Sequence, residues 1–253
     1  MRTRWTRYAG AALLLQAGAL AGCGNEVTAP ADEARSAPAQ TPVAPVPGPE
    51  RLVVAFGDSL YAGYGLGPGE SLPATLQDAL RAQGINARVV NAGVSGDTTA
   101  AGRQRLAFVL DAQPRKPDLV LLGLGGNDVL RQLPPAETRR NLDAMLAELQ
   151  RRNIPVLLTG MIAPRNLGPD YVADFERIYP DLAEQYGAGL YPFTLQGVIT
   201  DPALMLPDGI HPNAEGVDRI VDNIDDLVAE RLRAAPAAAS SPPPSPRPGS
   251  APG

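Results

Sequence analysis

At 253 residues, with 22 basic against 27 acidic side chains and a formal charge of −5, the chain is acidic and lacks basic clusters, which argues against nucleic-acid binding. Its single cysteine, Cys23, excludes an intramolecular disulfide and any multi-thiolate metal centre. Its single histidine, His211, must serve any chemistry that needs an imidazole.

In chain order, residues 1–22 read as an export leader. Arg2, Arg4 and Arg7 precede an apolar run from Ala9 to Ala21. That run falls short of the about 20 apolar residues a bilayer span requires. It ends in Leu20-Ala21-Gly22-Cys23, which resembles a bacterial lipobox. In such signals the cysteine is lipidated and becomes the mature N-terminus, so Cys23 is the expected anchor. Residues 23–50 follow as an Ala/Pro-rich linker, and residues 235–253 as a Pro/Ala/Ser-rich tail expected to be disordered. Residues 51–234 between them suffice for one domain with a full core.

Within that domain, short apolar runs alternate with amphipathic stretches. Strands are predicted at 52–56, 87–91, 118–123, 154–159 and 189–192. The first, third and fourth are nearly continuous apolar runs, as strands buried on both faces should be. Ser71 ahead of Leu72-Pro73 predicts a helix N-cap, with Gly84 as the stop. Leu142, Met145, Leu146 and Leu149 repeat at helical spacing, as do Val217, Ile220, Val221, Ile224, Leu227 and Val228. The alternation implies an α/β domain with a parallel sheet covered by helices on both faces. Sites in such sheets form beyond the C-terminal ends of the strands. Ser59, Gly96 and Asn127 each follow one of the first three strands.

Ser59 lies in Gly57-Asp58-Ser59-Leu60, just past the first strand, and is the candidate nucleophile. A serine hydroxyl is a poor nucleophile without a base that is itself oriented by a third group. Asp208 and His211, three residues apart, could supply both: the carboxylate reaches Nδ1 and leaves Nε2 free. Ordinary structural roles exist for each residue, with Asp58 and Ser59 as a helix cap, His211 packed beside Pro212, and Asn127 capping the next helix. Ser95, in Gly93-Val94-Ser95-Gly96-Asp97, is a rival nucleophile. Gly96 and Asn127 are candidate oxyanion donors, one through a closely approaching backbone N–H and the other through its side-chain amide. The glycine-rich stretches match neither a dinucleotide-binding nor a P-loop pattern. Gly63-Tyr64-Gly65-Leu66-Gly67-Pro68-Gly69 reads either as a rim of the site or as a surface loop.

Four blocks, Gly57-Asp58-Ser59-Leu60, Ser95-Gly96-Asp97, Gly125-Gly126-Asn127-Asp128 and Asp208-Gly209-Ile210-His211-Pro212, resemble in order and spacing those of the SGNH (GDSL) hydrolases. Within that superfamily the chain is similar to bacterial arylesterases and multifunctional thioesterase/lysophospholipases. The resemblance implies a flavodoxin-like three-layer α/β/α sandwich with a five-stranded parallel sheet. It also implies a triad of Ser59, Asp208 and His211, and an oxyanion hole of Gly96, Asn127 and the Ser59 N–H. In the family a glycine often precedes the Leu-Arg after Asn-Asp, and another follows it. Here Val129 and Gln132 flank Leu130-Arg131, at a place where the family lines its acyl crevice.

The expected function is hydrolysis of carboxylic esters through an acyl-enzyme: aryl or short- to medium-chain acyl esters, acyl thioesters or lysophospholipids. No cofactor and no metal are required. The expected partners are the ester substrate and a membrane, reached through lipid on Cys23. Gly24 stands where an Asp would resemble an inner-membrane retention signal, so the expected location is the cell envelope, at the outer membrane facing the periplasm. The alternatives are a carbohydrate O-deacetylase on the same scaffold, set back by the absence of an evident aromatic platform, and a non-catalytic surface lipoprotein that binds lipid or a partner.

Overall fold

The computed structural model describes residues 46–234. The expected leader, the lipidation site at Cys23, most of the linker and the tail at 235–253 lie outside the described residues.

Five parallel strands form one sheet: β1 (Arg51–Gly57), β2 (Ala87–Gly93), β3 (Leu119–Gly123), β4 (Val156–Thr159) and β5 (Gly189–Tyr191). Their order is β2-β1-β3-β4-β5. The continuous apolar runs of the sequence are the interior strands β1, β3 and β4, buried at every residue. The less apolar runs are the edges, where one side of the strand meets solvent.

Alternation along the strands divides the core. Val54 and Phe56, with Val120, Leu122 and Leu158, pack under α3 (Thr99–Asp111), α5 (Pro135–Arg151), α6 (Pro169–Glu176) and α7 (Ile178–Tyr186). Val53 and Ala55, with Leu119, Leu121 and Leu157, pack under α2 (Leu72–Ala82) and α8 (Ala214–Ala234). The predicted stripes do this: Leu142, Met145, Leu146 and Leu149 are buried, and so are Val217, Ile220, Val221, Ile224 and Val228, with Leu227 partly covered. Each buried Leu, Ile or Val side chain is worth about 1.5–3 kcal/mol relative to exposure. The three-layer sandwich follows from these two apolar faces.

Ser71 occupies the N-cap position of α2, but its side chain makes no capping bond. Pro73 at the second helical position has no N–H to offer, which removes one of the two usual partners of a cap. The C-terminal stop is as predicted: Gln83 is the cap, and Gly84 follows at φ +78°.

The chain steps from β1 to β2 on one side and crosses to β3 on the other. At that reversal, the loops after β1 and β3 diverge and leave a crevice at the C-terminal edge of the sheet.

Candidate active site

Three glycines end the first three strands in register, with Gly57 paired to both Gly93 and Gly123. Tyr61 lies across this row. A Cβ on Gly57 or Gly123 would run into the Tyr61 ring, and one on Gly93 would strike the backbone of Tyr61 and Ala62. The Tyr61 hydroxyl is hydrogen-bonded to Thr159 Oγ1 at 2.7 Å, across the sheet on β4. The glycines thus let α1 (Ser59–Ala62) lie directly on the strand ends. Burial pushes the Tyr61 phenol well above its usual range, so it stays neutral.

Asp58 is the N-cap of α1, its Oδ1 accepting the Leu60 N–H at 3.1 Å. The capping role thus falls to Asp58, and Ser59 is left as the first helical residue with its hydroxyl free to face the crevice. Asp58 is only 3% exposed. Its carboxyl is pushed up to about 6, chiefly by burial, against the opposing pull of the Leu60 hydrogen bond and the nearby His211.

Ser59 Oγ is hydrogen-bonded to His211 Nε2 at 2.8 Å, and His211 Nδ1 to Asp208 Oδ2 at 2.6 Å. Asp208 Oδ1 also accepts the backbone N–H groups of Ile210 at 2.9 Å and His211 at 3.0 Å. These bonds, led by the backbone bond to His211, hold the carboxyl down at about 2. The His211 carbonyl accepts the Leu206 N–H at 2.7 Å, and Asn213 grips Ala203 O through its side-chain amide at 2.7 Å. Ser95 lines the same crevice, but the sole imidazole is bonded to Ser59.

Gly96 and Asn127 also line the crevice. Gly96 has φ +85°, a backbone state that glycine enters without strain. The Ser59 and Gly96 N–H groups have no acceptor among the described residues. Asn127 does not cap α4 (Gly126–Leu130), whose N-cap is Gly125. Its amide donates instead to Asp97 O at 3.0 Å and approaches Asp58 Oδ2 at 3.5 Å.

Residues without a sequence-level signature, or outside the proposed machinery, hold this arrangement. Arg105 donates to Gly57 O at 2.9 Å, Ala92 O at 2.8 Å and Asp97 Oδ2 at 2.6 Å, and stacks over Phe56. One guanidinium therefore ties the ends of β1 and β2 to the loop that carries Gly96. Asp128, 1% exposed, accepts the Thr99 N–H at 2.8 Å and the hydroxyls of Thr99 at 2.5 Å and Thr138 at 3.1 Å, joining α4 to α3 and α5. Asp128 stands in one of the four blocks and was available as a signal. Arg105 sits eight residues past Asp97 on α3 and carries no local signature.

Beside the Ser59–His211–Asp208 hydrogen-bond chain lies a cleft of about 580 Å³ whose apolar wall includes Leu60, Val129, Leu130, Met161, Ile162, Ala163, Phe193 and Leu195. Val129, at one of the family's glycine positions, is buried in that wall. Gln132, at the other, has φ +52°, a left-handed conformation that a glycine would adopt freely. Tyr64 also lines the cleft, its ring centroid 4.4 Å from that of His211 at an interplanar angle of 34°. Of the Gly63–Gly69 stretch, Tyr64 lines the cleft and supplies an aromatic surface that the sequence did not make evident. Among the described residues no cluster of His, Cys, Asp and Glu could hold a metal ion.

Residues 55–219 match the pattern of the GDSL-like Lipase/Acylhydrolase family. The chain is 40% identical over 174 residues to Esterase TesA of Pseudomonas aeruginosa, covering 69% of this chain and 86% of that one. It is 40% identical over 183 residues to an arylesterase of Vibrio mimicus, covering 72% and 90%. Among solved structures, the SGNH-hydrolase family esterase AlinE4 superposes with a TM-score of 0.63 at 58% identity, covering 73% of this chain and 98% of that one. The chain belongs to the GDSL (SGNH) hydrolase family and is a carboxylic ester hydrolase of that family.

Proposed function

We propose that Ser59, His211 and Asp208 hydrolyse esters by two-step acyl transfer to water. The observation that carries this reading is the unbroken hydrogen-bond chain from Ser59 Oγ through His211 to Asp208. His211 Nε2 takes the Ser59 proton as Oγ attacks the ester carbonyl. Negative charge grows on the carbonyl oxygen, where the N–H groups of Ser59 and Gly96 and the Asn127 amide receive it. One such donor is typically worth about 100–1000-fold in rate. Asp208, held ionised by three hydrogen bonds, keeps Nδ1–H engaged and stabilises the imidazolium. The alcohol leaves with the proton from His211, and water then repeats the sequence on the acyl-enzyme.

The apolar cleft fits a short- to medium-length acyl chain, and aryl esters, acyl thioesters and lysophospholipids are the substrate classes to be tested. Arylesterase and esterase relatives support the ester reading. The deciding experiment compares p-nitrophenyl acetate, butanoate and octanoate and the matching thioesters on wild type, Ser59→Ala and His211→Ala. Both variants are expected to lose at least about a thousandfold, as members of a cooperating triad do. Full activity in Ser59→Ala would overturn the assignment, and preference for acetylated sugars would redirect it to deacetylation.

The placement at the envelope is part of the same proposal. It is supported by the lipobox-like Leu20-Ala21-Gly22-Cys23 and by the Ala/Pro-rich stretch that follows. Radiolabelled palmitate should enter the full chain and not Cys23→Ala, and the label should fractionate with the outer membrane. Label-free protein in the soluble fraction would reject it.

A further inference from the structure

Tyr64 is a half-exposed aromatic ring, 51% accessible, laid against the proposed base in the wall of the catalytic cleft. Gly63 at φ +83° and Gly65 at φ +73° flank it, and its own N–H donates to Ser59 O at 3.2 Å. Two left-handed glycines turn the backbone so that the side chain between them stands out of the loop, while the backbone bond fixes that loop to the nucleophile's helix. A large apolar ring left in water beside a catalytic group has forgone the stabilisation that burial would give it. The other aromatic side chain of the cleft, Phe193, is partly buried against the α2/α8 side of the core.

We propose that Tyr64 is a specificity residue that selects flat aromatic leaving groups, stacking on the alcohol portion of the ester while His211 protonates it. That role rests on the triad reading above and on where the leaving oxygen must sit. To receive a proton from Nε2 it must lie within hydrogen-bond reach, about 3 Å, of that atom. An aryl ring bonded directly to this oxygen is therefore carried alongside the imidazole, where the Tyr64 ring stands 4.4 Å from it. Aromatic pairs gain most with centroids about 4.5–7 Å apart, offset or edge-on. A small alkyl group offers no such face. The acyl chain, on the other side of the carbonyl carbon, is left the aliphatic wall of Val129, Met161 and Ala163. In the step concerned, the carbonyl re-forms and the bond between carbonyl carbon and alcohol oxygen breaks with its electron pair on that oxygen. His211 Nε2 delivers the proton taken from Ser59, a phenol departs, and the acyl group remains on Ser59 Oγ.

Phenyl butanoate and ethyl butanoate share one acyl-enzyme and differ only in what leaves. Measured on the full chain, Tyr64→Ala is expected to lower kcat/KM for the phenyl ester about tenfold more than for the ethyl ester, as loss of one stacked pair and its contact area predicts. Tyr64→Phe should stay within about twofold of wild type on both, because the ring face is retained. Hydrolysis of the butanoyl-enzyme, followed after a burst of phenol, should be unchanged in Tyr64→Ala, since the alcohol has already gone. Equal losses on both esters, with slower acyl-enzyme hydrolysis, would mean that the ring only orients His211 and would overturn the proposal. So would discrimination that vanishes in Phe193→Ala and survives in Tyr64→Ala. Wild type that turns over neither ester would remove the triad reading and this proposal with it.

Discussion

Ser59 and His211 meet at 2.8 Å, yet the segments that bring them there are built differently. Gly57 to Ala62 is seated by packing: three glycines in register, a fully buried tyrosine across them and a buried aspartate capping the turn. Asp208 to His211 is an exposed loop that holds itself by hydrogen bonds, with one carboxylate accepting three N–H groups and Leu206 and Asn213 pinning its ends. The proposed nucleophile is therefore placed by steric exclusion, which leaves little room for added volume. The proposed base is placed by local polar geometry, which depends on donor and acceptor identity. Damage to the first should appear as lost stability, and damage to the second as lost rate.

The sharpest break is on the loop side. Asp208→Asn keeps the side-chain shape but can present its amide to Nδ1, favouring the wrong tautomer of His211. Activity on p-nitrophenyl butanoate should fall about 10³–10⁴-fold, with a modest loss of thermal stability at pH 7. Because folding lowers this carboxyl to about 2, its contribution to stability is complete above its ordinary value near 4 and is lost as pH falls towards 2. Wild type and Asp208→Asn should therefore converge in acid denaturation.

On the packed side, Gly123→Ala places a methyl group against the Tyr61 ring and the Thr159 hydroxyl. Overpacking of this kind costs about 1–3 kcal/mol, and here the upper end is expected because ring and sheet are both fully buried. Urea unfolding should show the loss, and Gly123→Ala combined with Tyr61→Ala should recover part of the added strain. A variant as stable as wild type would mean that the glycine row does not set the height of α1.

The smallest effect sharpens the comparison from within the packed side. Folding raises the Asp58 carboxyl from 3.8 to about 6, so its charged form is disfavoured in the native state. The penalty is absent below pH 4, where both states are protonated, and is complete above pH 6. A displacement of that size corresponds to about 2–3 kcal/mol. Asp58→Asn, which retains an acceptor for the Leu60 N–H, should match wild type at pH 4 and exceed it by that amount at pH 8 in urea unfolding. Equal stability at both pH values would show that the carboxylate is compensated by its surroundings.

Much of this was legible in the chain itself. Continuous apolar runs marked the interior strands because both of their faces are covered, and stripes at helical spacing marked α5 and α8 because one face of each is. The four blocks named Ser59, Gly96, Asn127, Asp208 and His211, since a single histidine leaves one possible base and loops after parallel strands converge. Local patterning was a poorer guide where partners are distant. Ser71 took the cap position without making the bond, and the proline two residues later offers no N–H to accept. Arg105 carries no local signal, and its three acceptors lie on β1, β2 and the Gly96 loop.

The sequence by itself determined the alternation of elements, the two-sided core and the residues that gather at the cleft, because these depend on periodicity and on short motifs. Only the tertiary structure decided that Asp58 and not Ser59 caps the first helix and that Tyr61 rests on a row of glycines. It also decided that Tyr64 stands in the cleft wall beside His211. The row of glycines and the Tyr64–His211 contact depend on atoms that meet from distant parts of the chain, 36 positions apart for Gly57 and Gly93, and no local pattern encodes such a meeting.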